Sequence, residues 1–205
     1  MMSRLVVATR NRGKLKEIQA LLGTLVPVVI CAADLDGFPD TIEDGETFEA
    51  NALKKAREAA QFSGLPALAD DSGLVVDALG GRPGVHSARF SGANATDASN
   101  NLLLVQELRS VPQGQRQAAF VSVLAFVAPD GVERTFWGRV AGRILDVPRG
   151  AGGFGYDPLF LVDGFGKTMA ELGLEEKNRI SHRGQAFQLF KEYLQTQQHN
   201  GEYHG

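Results

Sequence analysis

The sequence predicts an α/β protein, with helices layered around a mixed β-sheet. Two observations lead there. Short, apolar, β-branched runs recur among amphipathic helical segments along the whole chain. One pair of strand-like runs is joined by Pro129-Asp130-Gly131, and an Asp-Gly turn between such runs marks a hairpin.

The elements follow in order. Leu5 to Thr9 reads as a buried first strand, and Gly13 to Leu22 as a helix with Leu15, Ile18, Leu21 and Leu22 on one face. Pro27 to Ala32 is a second strand. Asp34 to Gly45, rich in Asp, Gly and Pro, is an irregular acidic loop. Phe48 to Phe62 is a helix with a small-residue face of Ala52, Ala56, Ala59 and Ala60, stopped by Gly64 and Pro66. Two short strands come next, Ala67 to Asp70 and Leu74 to Leu79, parted by Asp71-Ser72-Gly73. Gly80 to Gly92 is a loop. Thr96 can cap a helix running to about Arg109, with Leu102, Leu103, Val105 and Leu108 inward. Ala118 to Ala128 and Val132 to Val140 form the hairpin. Gly150 to Pro158 is a glycine-rich loop leading to a strand at Leu159 to Val162. The last helix begins near Ser181, with a stripe of Phe187, Phe190, Tyr193 and Leu194, and a polar, frayed tail is expected from about residue 196.

Composition narrows the function classes. The 205 residues, 43% hydrophobic and 22% charged, suit one large domain or one domain with two lobes. A formal net charge of −3 argues against binding polymeric nucleic acid. Cys31 is the single cysteine, so no internal disulfide can form, which suits a reducing compartment; in its apolar run it reads as a buried thiol. The first apolar run is too short for a signal-peptide core, and no stretch approaches the about 20 apolar residues of a membrane helix. The expectation is a cytoplasmic protein without membrane contact.

Five segments carry polar chemistry. Thr9-Arg10-Asn11-Arg12-Gly13-Lys14 lies where a strand ends and a helix begins, a place suited to phosphate, although an ordinary capped helix start with solvated basic residues reads equally well. Asp70-Asp71-Ser72-Gly73 sets two carboxylates side by side at an expected strand end. Adjacent carboxylates need a positive neighbour, and a magnesium ion is one answer; a polar turn is the other. Glu43 and Asp44 can add a ligand or form a solvated loop. Lys54 and Lys55 lie on the helix that leads into the acidic strand, although most helix lysines are simply solvated.

The fourth segment is Gly150-Ala151-Gly152-Gly153-Phe154-Gly155-Tyr156-Asp157-Pro158. It contains a literal G-x-G-x-x-G, but a strand rather than a helix is expected after it, which excludes the dinucleotide fingerprint. Four of its nine residues are glycine, so its backbone can approach a ligand, and Phe154 and Tyr156 could stack on a base; a bulged hairpin is the alternative. The fifth is Lys177-Asn178-Arg179-Ile180-Ser181-His182-Arg183-Gly184. With Ser181 as N-cap, His182 and Arg183 fall in the first turn of the last helix, placed for phosphate or a carbonyl oxygen, or as plain surface charges.

In combination, T-x-N-x-x-K near the start, A-D-D-S-G-L in the middle, G-G-F-G-Y-D-P later and S-H-R-G near the end resemble the inosine triphosphate pyrophosphatase family, over Leu5 to about Leu194. That resemblance implies a single such domain with a long mixed sheet and two lobes, the site in the cleft between them, a homodimer, and Mg²⁺ as cofactor. It implies hydrolysis of inosine, deoxyinosine and xanthosine triphosphates to monophosphate and pyrophosphate. Residue by residue, Thr9, Arg10, Asn11, Arg12, Gly13 and Lys14 match a phosphate-contacting loop, and Lys55 a substrate-contacting lysine. Asp71 matches the catalytic base and metal ligand, with Ser72 beside it on the substrate, and Glu43 a second acidic metal position. Phe154, Gly155, Tyr156 and Asp157 match a base-contacting loop, and Lys177, His182 and Arg183 further substrate contacts.

Overall fold

A computed structural model describes residues 3–9, 11–23 and 25–202. Six strands form one sheet in the order β2-β1-β3-β4-β5-β6: β1 Arg4–Val7, β2 Val28–Cys31, β3 Ala67–Val76, β4 Gln117–Val127, β5 Glu133–Ile144 and β6 Phe160–Val162. The helices are α1 Arg12–Leu22, α2 Phe48–Ser63, α3 Asp97–Glu107, α4 Leu174–Ile180 and α5 His182–Glu202. The sheet is mixed: β1 pairs parallel with β2 and β3, whereas β5 and β6 are antiparallel. None of the described helices is long and apolar enough to cross a membrane.

Contacts divide the chain into two compact units. The first comprises Met1–Asp71, Ser122–Gly138 and Arg183–Gly205, the second Ser72–Val121 and Arg139–His182. In the first, strand alternation sorts the core into two layers. Leu5, Val7, Leu68 and Leu124 join Ile18 and Leu22 of α1 and Phe187 and Phe190 of α5. Val6, Ala8, Ala67 and Ala69 meet Ala52, Ala56, Ala59 and Ala60 of α2. Successive strand residues point to opposite faces, so a strand covered on both faces must be apolar throughout, as β1 is from Leu5 to Val7. Thr47 caps α2 by accepting from the Ala50 N–H, and its alanine face lets the helix lie close to the sheet. Each buried Phe of α5 contributes about 1.5–3 kcal/mol of transfer free energy.

The second unit packs Leu74, Val76, Leu104, Leu108, Phe120 and Phe160 around a separate core. Thr96 caps α3 in a reciprocal capping box with Ser99. That phase buries Leu108 and packs Val105 against the core as expected, brings in Leu104 as well, and leaves Leu102 71% exposed, so the expected inward position of Leu102 is corrected. The four apolar residues Leu102 to Val105 fit more than one helical phase; the cap and the core select one. Two further corrections concern the C-terminal helices: a separate helix, α4, precedes the last one, and α5 continues to Glu202 where a frayed tail was expected after Gln195.

Candidate active site

The largest departure from the sequence reading is β3. Ala67–Val76 is one uninterrupted strand, so Asp70-Asp71-Ser72-Gly73 lies inside it and not at a strand end or in a turn. A strand can hold two adjacent carboxylates because they project to opposite faces and meet different cations. Asp70 accepts from Lys14 at 2.9 Å, Ser122 Oγ at 2.6 Å and Arg183 at 3.3 Å. Asp71 accepts from Lys55 at 2.8 Å, with Asn51 Nδ2 at 3.5 Å. These partners come from α1, α2, β4 and α5, remote in sequence, and they make continued strand affordable for a polar run.

The two carboxyls differ electrically. Burial alone would raise the pKa of each. At Asp70, Arg183 and then Lys14 overcome burial and hold it well below the usual carboxylate range. At Asp71 burial prevails over Lys55 and Lys14, and its pKa is raised. The reason is that Lys55 is shared: its Nζ donates to Asp71, to Glu43 Oε1 at 2.9 Å and to the Asp70 carbonyl at 2.9 Å. Burial pushes the Lys55 ammonium down, but two carboxylates outweigh it and the net direction is up. Asp71 thus has a divided cation and a like-charged neighbour in Glu43.

Glu43 reaches this cluster because its loop is tied to α2. Asn51 Oδ1 accepts from the Gly45 N–H at 2.8 Å, and Asn51 Nδ2 donates to the Gly45 carbonyl at 3.2 Å. A Cβ on Gly45 would lie 2.6 Å from Asn51 Oδ1, so a side chain there would push the Asn51 amide out of this pair. Lys54, by contrast, pairs with Asp44 at 2.7 Å on the surface.

In the first loop, Asn11 caps α1 by accepting from the Lys14 N–H at 3.0 Å, and Thr9 Oγ1 accepts from the Asn11 N–H at 3.2 Å. The capped helix start is therefore real, and it also aims Lys14 at Asp70. Gly13 is half-buried in the first turn of α1. Arg10 lies outside the described residues; Arg12 opens α1. Ser72 follows Asp71 on β3 and is half-buried.

Arg183 is fully buried, its guanidinium bonded to Glu17 and Asp70. That charge-balancing position was not anticipated, and the reading of Arg183 as a plain surface charge is corrected. Glu17, Ser122 and Asn51 were missed altogether. Glu17 carried a signal, since it sits beside Ile18 on the apolar side of α1 and is itself buried.

The glycine-rich segment belongs to the second unit. Asp157 Oδ2 accepts from the Phe154 N–H at 2.9 Å and from Lys177 Nζ at 2.6 Å, and the Lys177 ammonium lies 5.0 Å from the Phe154 ring centroid. Phe154 stays half-exposed. Tyr156 does not: its ring is buried in the core and its hydroxyl donates to the Ser87 carbonyl at 2.8 Å. Burial, with Asp97 nearby, raises the Tyr156 pKa further. Tyr156 therefore anchors the loop, and the expectation that its ring could stack on a base is corrected. His182 is buried and stacked on Phe120, centroids 4.9 Å apart.

The donor set is compatible with magnesium. Among the described residues no three His, Cys, Asp or Glu side chains form a metal-binding group. Magnesium does not need one, since it commonly takes one or two carboxylates together with phosphate oxygens and water. Asp71 and Glu43 both reach the same ammonium, and the raised pKa of Asp71 marks a carboxylate that further positive charge would stabilise.

Known proteins place the chain. It is 60% identical over 193 residues to a protein named dITP/XTP pyrophosphatase from Geobacter sulfurreducens, covering 94% of this chain and 97% of that one. The structure of a HAM1 protein from Coxiella burnetii superposes with a TM-score of 0.86 at 42% identity, covering 96% of this chain and all of that one. The Staphylococcus aureus Ham1 protein gives 0.85 at 39% identity over 95% of this chain and 99% of that one. The Ham1 family model matches residues 5–193, and the chain belongs to the Ham1 family.

Proposed function

We propose that the chain is a Mg²⁺-dependent pyrophosphatase that hydrolyses inosine, deoxyinosine and xanthosine triphosphates to the monophosphate and pyrophosphate, clearing deaminated purines from the nucleotide pool. The observation that carries this reading is the Asp71–Lys55–Glu43 cluster, set beside Lys14 on Asp70. It offers a poorly compensated carboxylate next to two ammonium groups, which suits attack by water on a polyanion. The relatives named dITP/XTP pyrophosphatase support the substrate class.

In this reading Asp71 accepts a proton from the attacking water as its oxygen bonds to the α-phosphorus. The bond from that phosphorus to the bridging α–β oxygen breaks, and its electron pair leaves on pyrophosphate. Lys14 and Lys55 offset the charge that gathers there, and the backbone and side chains of residues 9–14 hold the phosphates. Asp71 and Glu43 would hold the Mg²⁺, which supplies further charge neutralisation and a lower pKa for bound water. Phe154, Gly155, Asp157, Lys177 and His182 are assigned to the base and sugar side, and Ser72 to the phosphates. Tyr156 supports that loop from the core. Arg183 acts on the site through Asp70, in addition to any substrate contact. We further infer that the chain works as a single inosine triphosphate pyrophosphatase-like domain, a homodimer, in the cytoplasm, on small nucleotides and not on polymeric nucleic acid.

Product analysis tests the reaction type. Incubation with inosine triphosphate and Mg²⁺ is expected to give pyrophosphate and inosine monophosphate in equal amounts, with no orthophosphate. Release of orthophosphate and a diphosphate would place the cleavage at the wrong bond and remove the proposal.

A further inference from the structure

We propose that Asp97 and Asn101 of α3 act as positioning residues for the enzyme's grip on the purine, by clamping the backbone of Gly155. The inference rests on the reading of the Phe154 loop as the base contact. Asp97 Oδ2 accepts from the Gly155 N–H at 2.7 Å, and Asn101 Nδ2 donates to the Gly155 carbonyl at 2.9 Å. The two side chains are four residues apart and so lie on one helix face. Both polar backbone groups of one loop residue are thereby taken up by a single rigid element, more than fifty residues away in sequence.

Helix capping does not account for this arrangement. The exposed amides at the start of α3 are already served by Thr96 and Ser99, which cap each other's backbone. An acidic residue in a first helical turn is favoured by the helix dipole, which would explain Asp97 but not its convergence with Asn101 on one glycine. No neighbour crowds the side-chain direction of Gly155, since a Cβ there would meet nothing within 4 Å. Its φ of +62° is left-handed, a conformation that glycine enters freely and leaves freely. A residue with that freedom, between Phe154 and Tyr156, is restrained here by the two hydrogen bonds from α3.

The neighbouring anchors divide the work. Tyr156 is fixed to the core through Ser87, and the Phe154 N–H is fixed by Asp157 from within the same loop. The link from this loop to α3 runs through Asp97 and Asn101. Without it, the peptide that joins the half-exposed Phe154 to the buried Tyr156 can rotate, and the Phe154 ring loses its fixed presentation above Lys177. The consequence falls on base binding and not on the chemistry of the first unit.

Three inhibitors separate those effects: inosine monophosphate, ribose 5-phosphate and pyrophosphate, each measured against turnover of inosine triphosphate. Asp97→Ala and Asn101→Ala are each expected to raise the inhibition constant of inosine monophosphate, and the KM of the substrate, about tenfold, the scale of one net hydrogen bond to a charged or constrained group. The pyrophosphate constant should move by less than about twofold, and kcat at saturation by less than about threefold, because neither depends on the base loop. Asp97→Asn keeps an oxygen that can accept from Gly155 and should recover most of the loss. The proposal is overturned if Asp97→Ala leaves the inosine monophosphate constant unchanged, or if the pyrophosphate constant shifts as far, which would indicate general damage. If wild-type enzyme binds ribose 5-phosphate as tightly as inosine monophosphate, the base-contact reading itself fails, and this inference with it.

Discussion

Replacing Asp71 with asparagine is expected to lower kcat by about a hundredfold or more, the usual scale for loss of a base or metal ligand, while the protein remains as stable as before. The two halves of this expectation share one cause. Asp71 is buried, shares its ammonium with Glu43, and has its pKa raised by burial above the ordinary carboxylate value of 3.8. A raised folded-state pKa means that the folded protein binds this proton more tightly than the unfolded chain. Stability therefore falls as pH rises from 3.8 through the raised value, and stays reduced above it. At neutral pH the carboxylate costs the metal-free fold something. Asparagine removes that cost, and Lys55 keeps Glu43 and the Asp70 carbonyl. The urea midpoint should thus correspond to a stability within about 1 kcal/mol of wild type, the range of an uncritical substitution. Full turnover in Asp71→Asn would contradict its assignment as base. Lost turnover with an unfolded protein would contradict the electrostatic account.

Arg183→Met is expected to do the reverse and cost about 3–5 kcal/mol of stability at neutral pH, the typical penalty for removing one partner of a buried ion pair. Arg183 is 1% exposed and bonded to both Glu17 and Asp70. Methionine fills much of its volume but leaves two carboxylates buried with less positive charge. Lys14 and Ser122 remain on Asp70 and soften the loss without replacing a guanidinium. For a domain stable by about 5–15 kcal/mol, that is a large fraction of the total. The pH dependence has a definite sign. Asp70 has a depressed folded-state pKa, so its contribution is complete above the ordinary value of 3.8 and is lost as pH falls below it towards the folded value. The difference between wild type and variant should therefore narrow in acid. A urea-unfolding difference under about 1 kcal/mol at pH 7 would show that the pair contributes little, as exposed pairs do.

The parts of this fold that the sequence made legible are those whose information is local. Helix α2 announces itself through its alanine face and Gly64, and the structure uses both. The stripe of α5 and the covered strand β1 are equally local. What stayed hidden depends on partners far along the chain. Asp70-Asp71-Ser72 looks like a turn until Lys14, Lys55, Ser122 and Arg183 are brought to it. Tyr156 looks like a ligand-stacking ring until the core closes over it and Ser87 takes its hydroxyl. Lys14 and Lys55 could be picked out by motif, but not the way Lys55 is divided between Asp71 and Glu43. Asp97 and Asn101 gave no signal in sequence, because their partner is a backbone and any glycine in that place would look the same.

Selectivity is the most direct test of the function as a whole. Inosine and xanthosine carry an acceptor oxygen at position six of the purine, where adenosine carries a donor amine. A site that presents donors to that position leaves them facing another donor when ATP enters, and sites built around such a bond reject the mismatched analogue by about 10⁴-fold. The decisive measurement is kcat/KM for inosine, xanthosine, adenosine and guanosine triphosphates under saturating Mg²⁺. The account predicts that the inosine and xanthosine values exceed that for ATP by at least about a hundredfold. Turnover of ATP within about tenfold of inosine triphosphate would contradict it, whatever the fold.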